Sequence, residues 1–347
     1  MPRNSIHHFA DEEDADFRDV AAARAHAALA WGHFQGQLIY LDNRIAELFG
    51  VGVTRTLCDE ALRQAGYSDA PLNLSSWFAG QALSVETAHV AAPAREIVTA
   101  VLQTLRSSSW APMAAVTDRL CAANCMVRDP FEDAEGFVVE EAIAEGEAIL
   151  TRLSDKSGSD TAWPLSVVDE LTREVATSPL MFWEPNGGTA IHAPHGIFHI
   201  SAPPQRGFYW VADLMIGSAF KEAGAANVSI PLPGFVRLEA LRAKAGSNRQ
   251  NRLIAESLVA SIARLSRLLQ RARTVAKQMD KHFAHVRSTS RAPDAYILST
   301  GFGTLNARQL QRAFGLSRAG ADTVFKAVGV CGELAVPAKR DHVSQRI

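Results

Sequence analysis

Three histidines form the most enzyme-like pattern of the sequence, within a segment rich in proline and glycine at residues 184–210. They are His192, His195 and His199. Three imidazoles can hold a zinc ion and leave a fourth coordination position for water. The spacing differs from the helical H-E-x-x-H motif, because Pro194 intervenes and no glutamate lies between the histidines. We expect a structured loop at 184–210, and the alternative is a metal-dependent enzyme that uses residues 186–210.

Other catalytic signatures are missing from the sequence. The chain contains no G-x-x-x-x-G-K-[ST] phosphate loop, no G-x-S-x-G nucleophile turn and no H-E-x-x-H. Cys121 and Cys125 form a C-x-x-x-C pair without histidine or cysteine companions, which favours small buried thiols over a metal site. The sequence thus predicts no cofactor and makes an enzyme the less expected class.

A second set of residues is suited to contact nucleic acid and lies between Thr304 and Val328. Two short helices are predicted on either side of Gly315, because a glycine just past a helix adopts the left-handed conformation at little cost. Leu310 and Phe314, four residues apart, share one face of the first helix. Ser317 is the predicted N-cap of the second. This pattern is typical of a helix-turn-helix, whose second helix enters the major groove of DNA.

Helical spacing divides the second helix into two faces. The inner face is predicted to carry Ala321, Val324 and Val328, and the outer face to present polar side chains to bases or phosphates. The outer residues are Ser317, Arg318, Ala319, Asp322, Thr323 and Lys326. The first helix would place Arg308, Gln309 and Arg312 off its apolar face. Of these outward residues, Ser317, Arg318, Thr323 and Lys326 are the predicted contacts of the second helix, and Arg308 and Arg312 are predicted to contact the DNA backbone.

Two residues depart from the expected pattern. Gln311 lies where the two helices cross and a small residue is usual, and Asp322 repels phosphate although a carboxylate can accept from a cytosine amino group. An ordinary helical hairpin is therefore the alternative interpretation. After Val328 we expect a short hairpin or wing, whose Lys339 and Arg340 would touch the DNA backbone.

Charge is distributed very unevenly along the 347 residues. Residues 1–234 hold 15 Lys and Arg against 30 Asp and Glu, a net charge of −15. Residues 235–347 hold 20 against 7, a net charge of +13. A basic portion joined to an acidic one is typical of a nucleic-acid reader fused to a separate domain. In the alternative interpretation, the two portions dock on one another and neutralise both fields.

The basic portion begins with a long predicted helix. Residues 247–283 contain neither glycine nor proline, and apolar residues recur three or four positions apart from Ile254 to Phe283. The opposite face carries arginine and lysine from Arg264 to Lys281, so the helix can lie near DNA phosphates and can also join two copies in a homodimer.

The chain therefore has four predicted parts and a mainly α-helical fold. An acidic, solvated lead-in, which can be disordered, covers residues 1–20, and an acidic helical domain covers 21–234. Residues 235–292 form the basic helix and a linker, and 293–347 form the helix-turn-helix domain. No apolar stretch approaches the ~20 residues of a membrane span. The acidic start and four scattered cysteines favour a cytoplasmic location.

Three stretches of the chain resemble a family of uncharacterised alphaproteobacterial proteins, common on rhizobial plasmids, that end in a helix-turn-helix. They are HAALAWGHFQGQLIYLDN, RSTSRAP and LNARQLQRAFGLSRAGADTVFKAVGV. The resemblance implies a helical protein with presumed DNA binding and no established reaction. The front of that family also looks distantly like Fic-type proteins, but HAPHGIFH lacks the Asn-Gly-Arg of their signature, so AMP transfer is not implied.

These observations favour a DNA-binding protein, either a transcriptional regulator or a plasmid-associated factor. Two alternatives remain open at this stage. One is a metal-dependent or Fic-like enzyme that uses the histidine segment. The other is a non-catalytic interaction module whose acidic portion binds another protein.

Overall fold

A computed structural model describes residues 6–67, 70–80, 85–126, 133–156, 166–182, 189–193, 196–200, 207–287 and 289–329. The first seven helices are α1 Ile6–Ile39, α2 Asn43–Gln64, α3 Ala70–Phe78, α4 Val85–Arg106, α5 Ala111–Ala123, α6 Asp133–Lys156 and α7 Ser166–Thr177. Two strands follow, β1 Thr189–Ala193 and β2 Gly196–Ile200. The remaining helices are α8 Trp210–Glu222, α9 Leu238–Arg242, α10 Asn248–His282, α11 Ala292–Phe302, α12 Ala307–Phe314 and α13 Arg318–Gly329.

The prediction of a mainly α-helical fold is confirmed. Within the described ranges there are thirteen helices and a single antiparallel pair of strands. The pair, β1 and β2, lies in the proline- and glycine-rich segment 184–210, where long helices were not expected. Its register pairs Thr189 with Ile200 and Ala193 with Gly196.

The predicted helix at 247–283 is α10, a single helix of 35 residues. Ser247 caps its first turn, because its hydroxyl accepts a hydrogen bond from the amide of Gln250 at 3.2 Å. The apolar stripe, from Ile254 through Leu265 to Met279, is buried. It packs against α1 and α2 of the same chain, so α10 lies at the centre of the fold.

Helix α1 packs alongside α10 and is fixed in rotation by polar contacts. The indole of Trp31 donates to the carbonyl of Ala225 at 2.7 Å. The amide group of Gln35 both donates to and accepts from the backbone of Val228, each at 3.2 Å. The helix begins at Ile6, so it includes most of the acidic lead-in predicted at residues 1–20. The alanine-rich sequence from Val20 onward favours continuation of the helix.

A buried carboxylate joins α8 to the turn that precedes α9. Asp213 accepts hydrogen bonds from the amides of Gly234 at 2.8 Å and Val236 at 2.7 Å, and from the side chain of Gln64 at 3.0 Å. Gly234 has a φ of 68°, a left-handed conformation that favours glycine. Asp213 therefore fixes the shape of this turn.

The last three helices share the hydrophobic core of the rest of the chain. Helix α11 packs on α2 and α3, and α12 packs on α5. The rings of Phe78 and Phe302 lie 4.9 Å apart between centroids. The domain division at residue 293 stays a prediction, while the described helices on either side of it are in direct contact.

Candidate nucleic-acid interface

Helices α11, α12 and α13 form a small three-helix arrangement. Helix α13 packs against both α11 and α12. Its residues Ala321, Val324 and Val328 are buried, as their spacing predicted. Leu310 on α12 is buried too, whereas Phe314 is half-buried. The side of α13 opposite its buried residues is left exposed.

The turn between α12 and α13 has the predicted local geometry. Gly315 is left-handed, with φ 62° and ψ 31°, and the amide of Leu316 donates to the carbonyl of Gln311 at 3.3 Å. The hydroxyl of Ser317 accepts from the amide of Gly320 at 3.2 Å, which is the N-cap contact. Gln311 is half-buried at the crossing where it was expected to disturb the packing.

The outer face of α13 carries all the residues predicted to face outward. Ser317, Arg318, Ala319, Asp322, Thr323 and Lys326 are exposed. In the part of the chain that the structure describes, no acidic side chain forms an ion pair with Arg318 or Lys326. The hydroxyl of Thr323 donates to the carbonyl of Ala319 at 2.9 Å, and the residue is exposed. Two cations that have no ion-pair partner among the described residues thus share this face with one carboxylate.

Phe325 is also on the exposed side of α13, with 42% of its surface accessible. Its exposure was not predicted from the sequence. The signal that would have found it is its position outside the inner series Ala321, Val324 and Val328. An exposed aromatic side chain beside Lys326 gives this face an apolar contact as well as charge.

The N-terminus of α12 is anchored to the C-terminal end of α3. Asn306 and Gln309 form a capping box, and Gln309 also donates to the carbonyl of Phe78 at 2.9 Å. The side chain of Asn306 donates to the carbonyl of Ala79 at 3.2 Å. Gln309 was predicted to lie outward and is only 1% exposed. The prediction was wrong because this amide satisfies both the cap and a distant backbone carbonyl.

The predicted backbone-contacting residues have different surroundings. Arg308 is exposed. The guanidinium of Arg312 donates to the carbonyl of Asn124 at 3.3 Å and lies 3.6 Å from the sulfur of Cys125, so it ties α12 to the end of α5. Lys339 and Arg340, with the rest of the predicted wing, lie outside the described residues.

Helix α10 adds a row of exposed basic side chains. They are Arg267, Arg271, Lys277 and Lys281. Arg264, at one end of the basic series, instead pairs with Glu60 at 3.3 Å and donates to the carbonyl of Pro233 at 3.2 Å. Most of the basic row therefore faces solvent.

A polar cleft of about 900 Å³ lies where α2 and α11 begin, beside the second half of α10. Its charged lining residues are Arg44, Arg119, Arg273, Lys277, Arg291, Asp42, Glu47, Asp280 and Asp294. Three ion pairs lie within it: Arg44 with Asp280, Arg119 with Glu47, and Arg291 with Asp294. Because cations and carboxylates are nearly balanced, the cleft favours neither sign of ligand charge.

The structure describes two of the three candidate metal histidines. His192 is in β1 and His199 is in β2, where its backbone pairs with that of Ala190. His195 lies outside the described residues. Considering the described ranges alone, no three His, Cys, Asp or Glu side chains are grouped as a metal site requires. Cys121 and Cys125 are half-buried free thiols, and burial raises the pKa of Cys121.

Comparison with known proteins does not assign this chain to a class of protein. No family model, curated protein or solved structure matches the sequence. The resemblance to rhizobial proteins therefore rests on the sequence motifs alone. Across the described residues, none of the helices combines the length and apolar character needed to cross a membrane.

Proposed function

We propose that this chain binds duplex DNA and reads it with the outer face of α13, as a transcriptional regulator or plasmid-associated factor. The proposal rests on the two faces of α13, of which one is buried and the other is exposed. Its apolar residues are packed against α11 and α12, while Arg318, Thr323 and Lys326 face solvent behind a tight left-handed turn at Gly315. A helix held in this way can enter a major groove without losing its packing.

Each outer side chain has a chemistry that DNA can use. Arg318 and Lys326 can donate to guanine or to phosphate oxygens. The methyl group of Thr323 and the ring of Phe325 can contact a thymine methyl group, and Asp322 can accept from a cytosine amino group. A face that combines donors, an acceptor and apolar groups is suited to read sequence as well as charge.

We place most of the phosphate contacts outside α12. In many helix-turn-helix proteins the first helix crosses the DNA backbone. Here the polar side chains at the start of α12 bind Phe78 and Ala79, and Arg312 binds Asn124. We therefore assign the electrostatic part of binding to Arg308 and to the exposed basic row on α10.

The proposal is tested with the full chain, since α11 to α13 share its core. Binding of a fluorescent random-sequence duplex is followed by anisotropy from about 50 to 200 mM salt. We expect the logarithm of the affinity to fall linearly with the logarithm of salt concentration, by ~0.9 for each phosphate contacted. A folded protein that does not bind at the lowest salt, or binds without salt dependence, would contradict the proposal.

A further inference from the structure

The outer face of α1 is exposed, apolar and almost free of charge. Leu29 is 74% accessible, Ile39 48% and Tyr40 91%. From Val20 to Leu41 the only formally charged residue is Arg24, which pairs with Asp169 at 2.6 Å. A solvated helix face normally carries many charged side chains. The lack of charge on this face therefore indicates that another surface covers it.

Two glycines on the same face contact nothing in the part of the chain that the structure describes. Gly32 and Gly36 are exposed, and a Cβ atom added to either would meet no atom within 4 Å. Neither has a positive φ. A glycine inside a helix destabilises it by roughly 0.5–1 kcal/mol relative to alanine. Because packing and backbone conformation do not require these glycines, their small size is best explained by close approach of a separate helix.

The exposed residues repeat with the spacing of a helix–helix contact. The residues along the middle of the face are Ala22, Ala25, Leu29, Gly32, Gly36 and Ile39, and the exposed residues His26, His33 and Tyr40 lie beside them. The intervals alternate between three and four residues, which is the pattern of a helix packed along its length on a second helix. At 1.5 Å per residue the face from Ala22 to Tyr40 is about 27 Å long.

We propose that this face binds the same face of a second copy of the chain, with the two α1 helices antiparallel. Placing the two-fold axis between Gly32 and His33 sets Leu29 opposite Gly36 of the other copy. It also sets Tyr40 opposite Ala25, and His33 opposite Gly32. Leu29, Tyr40 and His33 then each face a glycine or an alanine, and Ile39 faces His26 at the edge of the contact. Identical faces can therefore fit one another in an isologous contact.

A second copy fits this face better than a partner of different chemistry. The face has no formal charge with which to select an acidic or a basic protein, and two identical uncharged faces do not repel each other. The apolar stripe of α10, the helix predicted to join a homodimer, is already packed against α1 and α2. The contact is therefore assigned to α1, and it does not depend on DNA binding.

Sedimentation velocity of the full chain over a range of concentrations tests the contact. We expect a reversible dimer that Leu29→Glu and Gly36→Leu each weaken by at least about 100-fold, because they place a charge or excess volume at its centre. Gly36→Leu should leave the monomer as stable as before or more stable, since its side chain meets no atom of the same chain. Thr274→Glu, on the exposed side of α10, is the matched control and should leave the dimer unchanged.

A monomer at all concentrations would overturn the proposal. A dimer that tolerates Leu29→Glu and Gly36→Leu, or is lost with Thr274→Glu, would equally overturn it.

Single cysteines test the antiparallel arrangement. In a background with Cys121, Cys125 and Cys331 replaced by serine, His33→Cys should form an intermolecular disulfide readily. Tyr40→Cys should not, because the two copies of residue 40 would lie about 22 Å apart along the helix axis. Disulfides at both positions, or only at residue 40, would contradict the arrangement.

Discussion

Replacing Asp213 with alanine should lower the free energy of unfolding by about 3–5 kcal/mol. The substitution leaves three donors without their acceptor: the amides of Gly234 and Val236 and the side chain of Gln64. Asp213 is only 1% exposed, so water cannot replace the lost oxygen atoms without opening the structure. Urea unfolding followed by circular dichroism measures the loss.

The same carboxylate should make stability depend on pH. Burial raises the pKa of Asp213 to about 8, although the amides of Val236 and Gly234 and the side chain of Gln64 act in the opposite direction. Between the ordinary carboxylate range and pH 8, the folded chain keeps a proton that the unfolded chain releases. The contribution of Asp213 to stability is therefore present at low pH and is lost as the pH rises through about 8, by at most about 1.4 kcal/mol per pH unit.

Asp213→Asn should remove this dependence of stability on pH. The difference in the free energy of unfolding between this variant and the wild type should therefore change from pH 5 to pH 9. Asp118→Asn is the matched control, because Asp118 is exposed and pairs with Arg106 on the surface. The control should cost less than about 1 kcal/mol. If Asp213→Ala and Asp118→Asn had equal effects, the role assigned to the buried carboxylate would be wrong.

Removing both cations of the α13 outer face should weaken duplex DNA binding by about 100-fold or more. The double variant Arg318→Ala, Lys326→Ala deletes two exposed side chains that support no packing and form no ion pair in the described part of the chain. Its unfolding should therefore match the wild type. Anisotropy titration gives the affinity, and the salt dependence should decrease by about one for each cation that contacts phosphate.

A control separates a local contact from loss of net charge. Arg173→Ala with Lys221→Ala removes two exposed cations from α7 and α8. This pair should change the affinity by no more than about threefold, because distant surface charges are screened by salt. If the two double variants lost the same amount of affinity for DNA, binding would depend on total charge. The role proposed for α13 would then be wrong.

The geometry of the two terminal helices was predictable because it is local. Residues no more than a few positions away determine the left-handed conformation of Gly315 and the cap contact of Ser317. They also determine the buried series from Ala321 to Val328. The same is true of the uninterrupted helix α10, whose apolar period is visible in the sequence. Local periodicity thus predicts the positions of these helices and the side of α13 that is exposed.

Contacts between distant segments were not predictable. Gln309 was placed outward because its partner, the carbonyl of Phe78, is 231 residues away in the sequence. Arg312 binds Asn124, and Asp213 binds the backbone of a turn that composition marked only as a charge boundary. The uncharged face of α1 became recognisable only when the structure showed which side α10 covers.

The base preference of the full chain, selected from a random duplex pool, tests most directly whether α13 reads DNA. Wild-type protein should enrich one sequence motif, and Arg318→Gln should change the preferred base at one position while the rest of the motif persists. Arg173→Gln should select the wild-type motif. A wild-type protein that enriches no motif, or an Arg318→Gln variant that selects the same one, would contradict the account.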